Sequence, residues 1–428
     1  MRRFNATDPA FEAEFIAFVN ARRGSPAEVD QAVAEIIERV RTEGLPALLD
    51  YSRRFDHADL DETTIRVSPE EIEAGVAACD AETRAAITFA AQRIEAYHAR
   101  QKPADARFVD DAGVELGWRW TALEAVGVYV PGGRAAYPST VLMNAVPARV
   151  AGVDRIAMVT PPGRLQPAVL AAAKEAGVTE IWRVGGAHAA AALAYGAGPI
   201  RPVDKIVGPG NAYVTAAKRR LYGVVGIDAL AGPSEIVVVA DGQNDPDWIA
   251  ADLLSQAEHD PDAQSILITD DPVFAKAVEE AIERQLATLA TAEDAGASWK
   301  THGAIVIAPL DRSPALVDTI APEHVEFAVA APDALASRVR HAGAIFLGRH
   351  TPEAIGDYVA GSNHVLPTSR AARFSSGLSV FDFLKRTSIV RCDAESLARL
   401  GPPTLALAKA EGLPAHARSV SIRLNARE

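Results

Sequence analysis

The sequence predicts an α/β fold of two Rossmann-like doubly wound modules, with a helical N-terminal region and a C-terminal extension. Three observations predict it. The first hundred residues place apolar side chains at helical spacing behind capping signals. From Val126 onward, short apolar runs alternate with helical segments, the grammar of a parallel sheet covered on both faces. That alternation runs twice, once from Val126 and again from Glu235.

The elements follow in order. Residues 1–24 read as a separate helical arm. Ser25-Pro26-Ala27-Glu28 is a capping box with Pro at the first helical position, and Val29, Val33, Ile36, Ile37 and Val40 follow on one face. Ser68-Pro69-Glu70-Glu71 repeats the signal, and an Ala-rich helix runs from about Glu82 to His98. The first series then predicts strands at 126–130, 155–160, 180–184 and 205–207, with helices over 139–150, 167–176 and 187–195 and one from Asn211. The second predicts strands at 235–240, 265–269, 304–308, 324–329 and 344–347, with helices over 247–256, 272–289 and 314–320. After about Phe381 come a short helix, a strand at 387–390 and a helix over 394–410. The expected division is an arm (1–24), a larger α/β domain (25–127 with 234–380), a Rossmann-like domain (128–233) and an extension (381–428). A tail of that size with its own helix and strand points to an oligomer.

Composition narrows the function classes. With 43 basic against 56 acidic residues the net charge is -13, which argues against a nucleic-acid surface. Cys79 and Cys392 form no spaced set, so a reduced compartment is expected. No apolar leader and no apolar run of membrane-spanning length is read, so the expectation is a cytoplasmic protein with no membrane or nucleic-acid partner.

Ligand sites in doubly wound sheets lie at the carboxyl ends of strands. Three glycine loops are expected there: Tyr129-Val130-Pro131-Gly132-Gly133, Gly185-Gly186-Ala187-His188 and Gly208-Pro209-Gly210-Asn211. Each opens a helix whose N-terminus can accept a phosphate, although none completes a dinucleotide fingerprint and each also reads as plain turn chemistry. Gly232-Pro233-Ser234-Glu235 opens the second series, and Ser234 is either a substrate contact or a turn serine. Gln256 and His259, three apart at a helix end, share a face; they are two corners of a metal site or simply a polar helix end. Glu323-His324 sets a carboxylate beside an imidazole at a helix-to-strand turn; the pair is a surface acid beside a partly buried histidine, or both reach one cleft as base and water activator. Asp357, Ser362-Asn363-His364 and Glu411 to His416 are further loop and tail candidates. Gln256, His259, Asp357 and His416 together would suit Zn²⁺, though spacing alone does not bring them together.

These motifs carry a resemblance. Gly127-Val128-Tyr129-Val130-Pro131-Gly132-Gly133, Tyr137 to Asn144, Val207 to Val214, Ala231-Gly232-Pro233-Ser234-Glu235, Gln256-Ala257-Glu258-His259-Asp260, Pro322-Glu323-His324, Asn363 to Thr368 and Glu411 to His416 occur in the order seen in histidinol dehydrogenases, which the chain resembles over nearly its whole length. The resemblance implies a zinc-dependent, NAD-linked oxidation of L-histidinol to L-histidine through L-histidinal, closing histidine biosynthesis. It implies Gln256, His259, Asp357 and His416 as zinc ligands, His324 as catalytic base and Glu323 as water activator. Ser234, His364 and Glu411 would contact substrate, joined by the zinc ligands and the catalytic pair, and Tyr129, His188 and Asn211 would contact NAD. It further implies that the larger domain carries most zinc and catalytic residues, that 128–233 is the cofactor side, and that a homodimer exchanges its C-terminal tails. The family usually has Gln where this chain has His188. Two other readings stay open at this point: a dehydrogenase of the same scaffold for another alcohol, such as a sulfonated propanediol, and a non-catalytic metal-binding protein.

Overall fold

The structure is a computed structural model describing residues 1–21, 27–132, 137–163 and 165–424. In chain order it comprises β1 (Arg2–Asn5), α1 (Phe11–Asn20), α2 (Ala27–Glu43), α3 (Leu45–Phe55), α4 (Pro69–Ala78), α5 (Ala81–Ala99), β2 (Ala106–Val109) and β3 (Glu115–Ala122). The first module follows with β4 (Ala125–Tyr129), α6 (Pro138–Ala151), β5 (Arg155–Thr160), α7 (Pro167–Ala176), β6 (Glu180–Arg183), α8 (Gly186–Tyr195), β7 (Lys205–Val207), α9 (Ala212–Leu221) and β8 (Gly226–Ile227). The second has β9 (Glu235–Ala240), α10 (Pro246–Ala257), β10 (Gln264–Thr269), α11 (Pro272–Leu286), α12 (Ala292–His302), β11 (Ala304–Ile307), α13 (Ser313–Ile320), β12 (His324–Ala328), α14 (Pro332–Ala336), β13 (Ala344–Leu347) and α15 (Glu353–Tyr358). β14 (Leu384–Arg391), α16 (Ala394–Ala410) and α17 (Pro414–Leu424) end the described chain.

Two parallel sheets, ordered β6-β5-β4-β7-β8 and β1-β11-β10-β9-β12-β13, are the two modules that the alternating pattern predicts. Their inner strands, such as β4, β9 and β10, are buried on both faces, which is why they read as continuous apolar runs.

Several expectations need correcting. The arm over 1–24 is not wholly helical: Arg2–Asn5 pairs in parallel with β11 as an edge strand. Phe4 is buried against Phe11, Phe15 and Phe18, so aromatic packing pins the strand to the helix that follows. The capping-box residues Ser25 and Pro26, and Gly133 of the first glycine loop, lie outside the described residues. The second box is present, with Ser68 accepting from the Glu71 N–H and Glu71 answering. Helices α2 to α5 pack on the first module, α2 against α8 and α9, and α5 against α6 and α7. Arg93 of α5 also donates to the carbonyls of Val359 and Ala360, so these helices touch both parts of the chain. The helix expected over 272–289 stops at Leu286, and a separate α12 buries Ala295 and Trp299. β2 and β3 went unread because they lack an apolar run; with β14 they make a largely exposed antiparallel sheet.

One connection positions the site. The chain leaves β8 at Ile227 and enters β9 at Glu235, so residues 228–234 join the carboxyl edge of the first sheet to the amino edge of the second. The Gly232 N–H donates to Thr368 Oγ1 at 2.6 Å, and Thr215 Oγ1 to the Ala231 carbonyl at 3.3 Å. The three glycine loops lie at carboxyl ends of strands, but Ser234, Glu235, Glu323 and His324 lie at the amino ends of β9 and β12.

Candidate metal and catalytic site

β9 and β12 are neighbours in register, His324 opposite Ile236. Helix α13 ends in left-handed Ala321, and the chain then turns through Pro322 and Glu323 into the strand. Because Glu323 precedes the strand, strand alternation does not force it to the far face. Its Oε2 lies 3.7 Å from His324 Nδ1. Both residues are buried.

The peptide of Glu235 holds both. Its N–H donates to Glu323 Oε2 at 3.0 Å, and its carbonyl oxygen lies 3.1 Å from His324 Nδ1. A carbonyl only accepts, so Nδ1 carries the hydrogen and Nε2 keeps a free lone pair. Nε2 has no hydrogen-bond partner and stands 3.7 Å from Glu353 Oε1 and from Asp357 Oδ1. Burial pulls the imidazole down to about 3, so it is neutral at ordinary pH.

Glu353 and Asp357 are four apart on α15 and share its inward face. Burial, then the neighbouring Asp357, raises Glu353 to about 8, and burial raises Asp357 to about 6. Glu323 is raised well above the usual carboxylate range by burial and by Glu235, Asp357 and Glu353. Behind them, Glu326 accepts from the Glu353 N–H and lies against Asp252 of α10.

Gln256, fully buried at the end of α10, has its Nε2 3.0 Å from His259 Nδ1, while its Oε1 has no donor. His259 lies just beyond the helix, exposed, and close enough to bias the charge of Glu353, His324 and His364. His364 Nδ1 lies 3.1 Å from the Asp357 carbonyl, and burial lowers its ring to about 4. Asn363 anchors that loop, donating to the Met143 carbonyl at 2.6 Å and accepting from the Val365 N–H at 2.9 Å. Half-buried Ser234 adjoins Glu235, and its carbonyl accepts from the Gln264 N–H.

The donor set fits a cation. Gln256 Oε1, His324 Nε2 and Glu353 Oε1 are buried acceptors with no hydrogen donor facing them. His324, Glu353 and Asp357 offer ligand atoms that all lie within 4.8 Å of one another. Mixed carboxylate, amide and imidazole donors suit a borderline divalent ion such as Zn²⁺. The expected four do not all converge in one chain. The structure pairs Gln256 with His259 and sets Asp357 beside His324. His416 on α17 is exposed, as is Glu411 at the end of α16, and among the described residues the cluster includes neither.

In the first module, Tyr129 ends β4, buried, and its hydroxyl accepts from the Gly186 N–H at 2.9 Å. Asn211 caps α9 and is exposed. No side chain caps the first turn of α8. His188 in that turn is 1% exposed, packed near the rings of Tyr51 and Phe55, with Nε2 3.5 Å from Asp56 Oδ2 and neither ring nitrogen hydrogen-bonded. The Gly186 N–H is thus already taken by Tyr129, and the two unpartnered nitrogens of buried His188 are the polar atoms left to be satisfied at this helix start.

Known proteins give the same outline. The histidinol dehydrogenase family model matches residues 20–424. A protein of Caulobacter vibrioides named histidinol dehydrogenase is 78% identical over 99% of both chains, and one of Mesorhizobium japonicum is 62% identical over 98% of both.

The chain belongs to the histidinol dehydrogenase family.

The crystal structure of histidinol dehydrogenase from Elizabethkingia anophelis shares the fold, with a TM-score of 0.94 at 36% identity over 99% of this chain and 98% of that one. Within this histidinol dehydrogenase fold, sequence reasoning missed Glu235, Glu353, Glu326 and Asp252. Two of them had a readable signal. Glu353 precedes Asp357 by one helical turn, and Glu326 shares a strand face with His324. Nothing in the sequence marks the Glu235 backbone as the holder of Glu323 and His324.

Proposed function

We propose that this histidinol dehydrogenase oxidises L-histidinol to L-histidine through L-histidinal, reducing two NAD and consuming one water. The observation that carries the reading is His324, tied at Nδ1 and open at Nε2 beside Asp357, in a chain of this family. Gln256, His259 and Asp357 would hold zinc, with His416 supplied by a second copy of the chain. The ion, when bound, anchors the imidazole and amine of the substrate. Tyr129, His188 and Asn211 would hold NAD, which would supply the hydride acceptor.

His324 Nε2 takes the carbinol proton as hydride leaves carbon, giving the aldehyde. Glu323, its basicity raised by burial, takes a proton from water as the water adds to the aldehyde carbon. Loss of the second hydride from the hydrate, one hydroxyl proton passing to His324 Nε2 after it has released the first, gives the carboxylic acid, which ionises to the carboxylate. Ser234, His364 and Glu411 would orient the substrate. Two features support a docked tail: α17 packs back on α16, and Leu407, Leu413 and Ile422 are left exposed on the pair. Docked on a second copy, the tail would bury that surface and bring Glu411 and His416 to the neighbour's site. No helix among the described residues is long and apolar enough to cross a membrane.

The test is NADH formation from L-histidinol and NAD, before and after chelation and zinc return. Two NADH per histidinol, lost on chelation and restored by zinc, is the expected result. No NADH from zinc-loaded protein would overturn the assignment of substrate.

A further inference from the structure

Lys218 and Asp228 are buried charges that the mechanism does not use. Lys218 lies on α9 with 2% of its surface exposed, and the Asp228 carboxylate is nearly as deep. They form an ion pair, and both hold Gly208. The Gly208 N–H donates to Asp228 Oδ2 at 2.7 Å, and Lys218 Nζ donates to the Gly208 carbonyl at 3.0 Å. Asp228 Oδ1 is fixed in turn by the Ala229 N–H at 2.7 Å. One ion pair thus grips both polar groups of one residue.

That residue has a special backbone. Gly208 has φ +109, and a Cβ there would collide with the carbonyl oxygen of Tyr129. The loop Gly208-Pro209-Gly210-Asn211 is therefore pressed onto the end of β4, where the Tyr129 hydroxyl already accepts from Gly186. Burying two charges is costly unless they are well paired, and apolar side chains of similar volume often serve stability as well. Stability alone does not account for this choice, whereas a fixed loop conformation does.

We propose that Lys218 and Asp228 are positioning residues that hold the Gly208–Asn211 loop in its NAD-binding conformation, so that cofactor affinity depends on the pair more than turnover does. The inference rests on the reading that this loop contacts NAD.

The test is NADH binding to the full-length protein, followed by fluorescence, together with kcat at saturating NAD and the melting temperature. The double variant Lys218→Met/Asp228→Leu removes both charges without leaving one unpaired. Its NADH Kd is expected to rise about tenfold while kcat at saturation changes less than about twofold. Lys218→Arg, which keeps charge and donors, is expected to recover most of the affinity. Wild-type NADH affinity in the double variant would overturn the proposal. Should that variant not fold, Lys218→Gln decides instead: weaker NADH binding supports the clamp and unchanged binding overturns it. Asn211→Ala separates the underlying reading: if it binds NADH as wild type does, the loop is not part of the cofactor site.

Discussion

His324 and Glu235 share a contact that sets the chemistry of the site: Nδ1 lies 3.1 Å from the Glu235 carbonyl, so the open nitrogen is Nε2. Replacing the imidazole removes that lone pair and leaves the carbonyl without its donor. His324→Gln is expected to lower kcat about 10²- to 10⁴-fold, the usual contribution of a positioned base, while zinc content stays at the wild-type level. The reason is that the proposed ligands are Gln256, His259, Asp357 and His416, and Nε2, though near the cluster, serves as base. Steady-state kinetics and metal analysis of the same preparation check this. Full turnover by the variant would remove His324 from the mechanism.

Glu323 is assigned to the hydration step, so its removal is expected to separate the two oxidations. In Glu323→Gln the first hydride transfer persists and the second slows about 10²-fold or more. Single-turnover traces would then show one NADH formed quickly per site and the second late. Equal slowing of both phases would contradict the division of labour.

Proton competition governs the metal. Asp357, raised to about 6, is ionised above that pH and carries a proton below it. Zinc affinity is therefore expected to be steady above about pH 6 and to weaken about tenfold for each further unit of acidification, if one proton is displaced. Titration with a competing chelator at several pH values reads the slope. Gln256→Ala, which deletes the donorless buried Oε1, is expected to weaken zinc binding about 10- to 100-fold at every pH.

The same carboxylates make a stability prediction. Asp357 and Glu353 have folded-state pKa values raised above their ordinary 3.8 and 4.5. A raised value means the fold binds the proton more tightly than the unfolded chain does. The stabilisation from these groups is thus present below about pH 4 and is lost as pH rises through about 6 and then 8. Chelated protein is expected to lose this contribution between those limits. Zinc in about thousandfold excess over its Kd adds about 4 kcal/mol. The melting-temperature gap between zinc-loaded and chelated protein should widen as pH rises to about 6 and then level off with the zinc affinity, and a gap that narrows over that rise would refute the account.

Asn363 tests the loop that carries His364. Its side chain spans the Met143 carbonyl and the Val365 N–H, both inside the protein. Asn363→Ala is expected to cost about 1–3 kcal/mol by leaving those groups without partners, and to raise KM for L-histidinol. Denaturant unfolding and initial rates would measure the two effects separately.

Much of this was legible from short-range pattern. Continuous Val and Ile runs between helices gave β4 to β7 and β9 to β13 to within a residue or two, whereas two-residue β8 is too short to show such a run. Strands β1, β2 and β3 were not legible, because edge and surface strands bury too little to need an apolar run. Gln256 and His259 are three apart and do meet, although α10 stops at Ala257 and His259 sits in the turn beyond it. Asp357 and His324 carry no such local tie.

The sequence by itself determined the alternation of strand and helix, the glycine loops, the Glu323-His324 turn and the likeness to one family, since each depends on residues a few positions apart. Tertiary structure alone decided that a peptide at Glu235 holds a carboxylate and an imidazole 88 and 89 positions away, and that Glu353 joins Asp357 against His324. It also decided that Glu411 and His416 stand apart from the cluster in a single chain. The physical reason is that a reactive group takes its tautomer and basicity from the neighbours that desolvate it. Sheet register and helix packing choose those neighbours, and no short-range pattern encodes them.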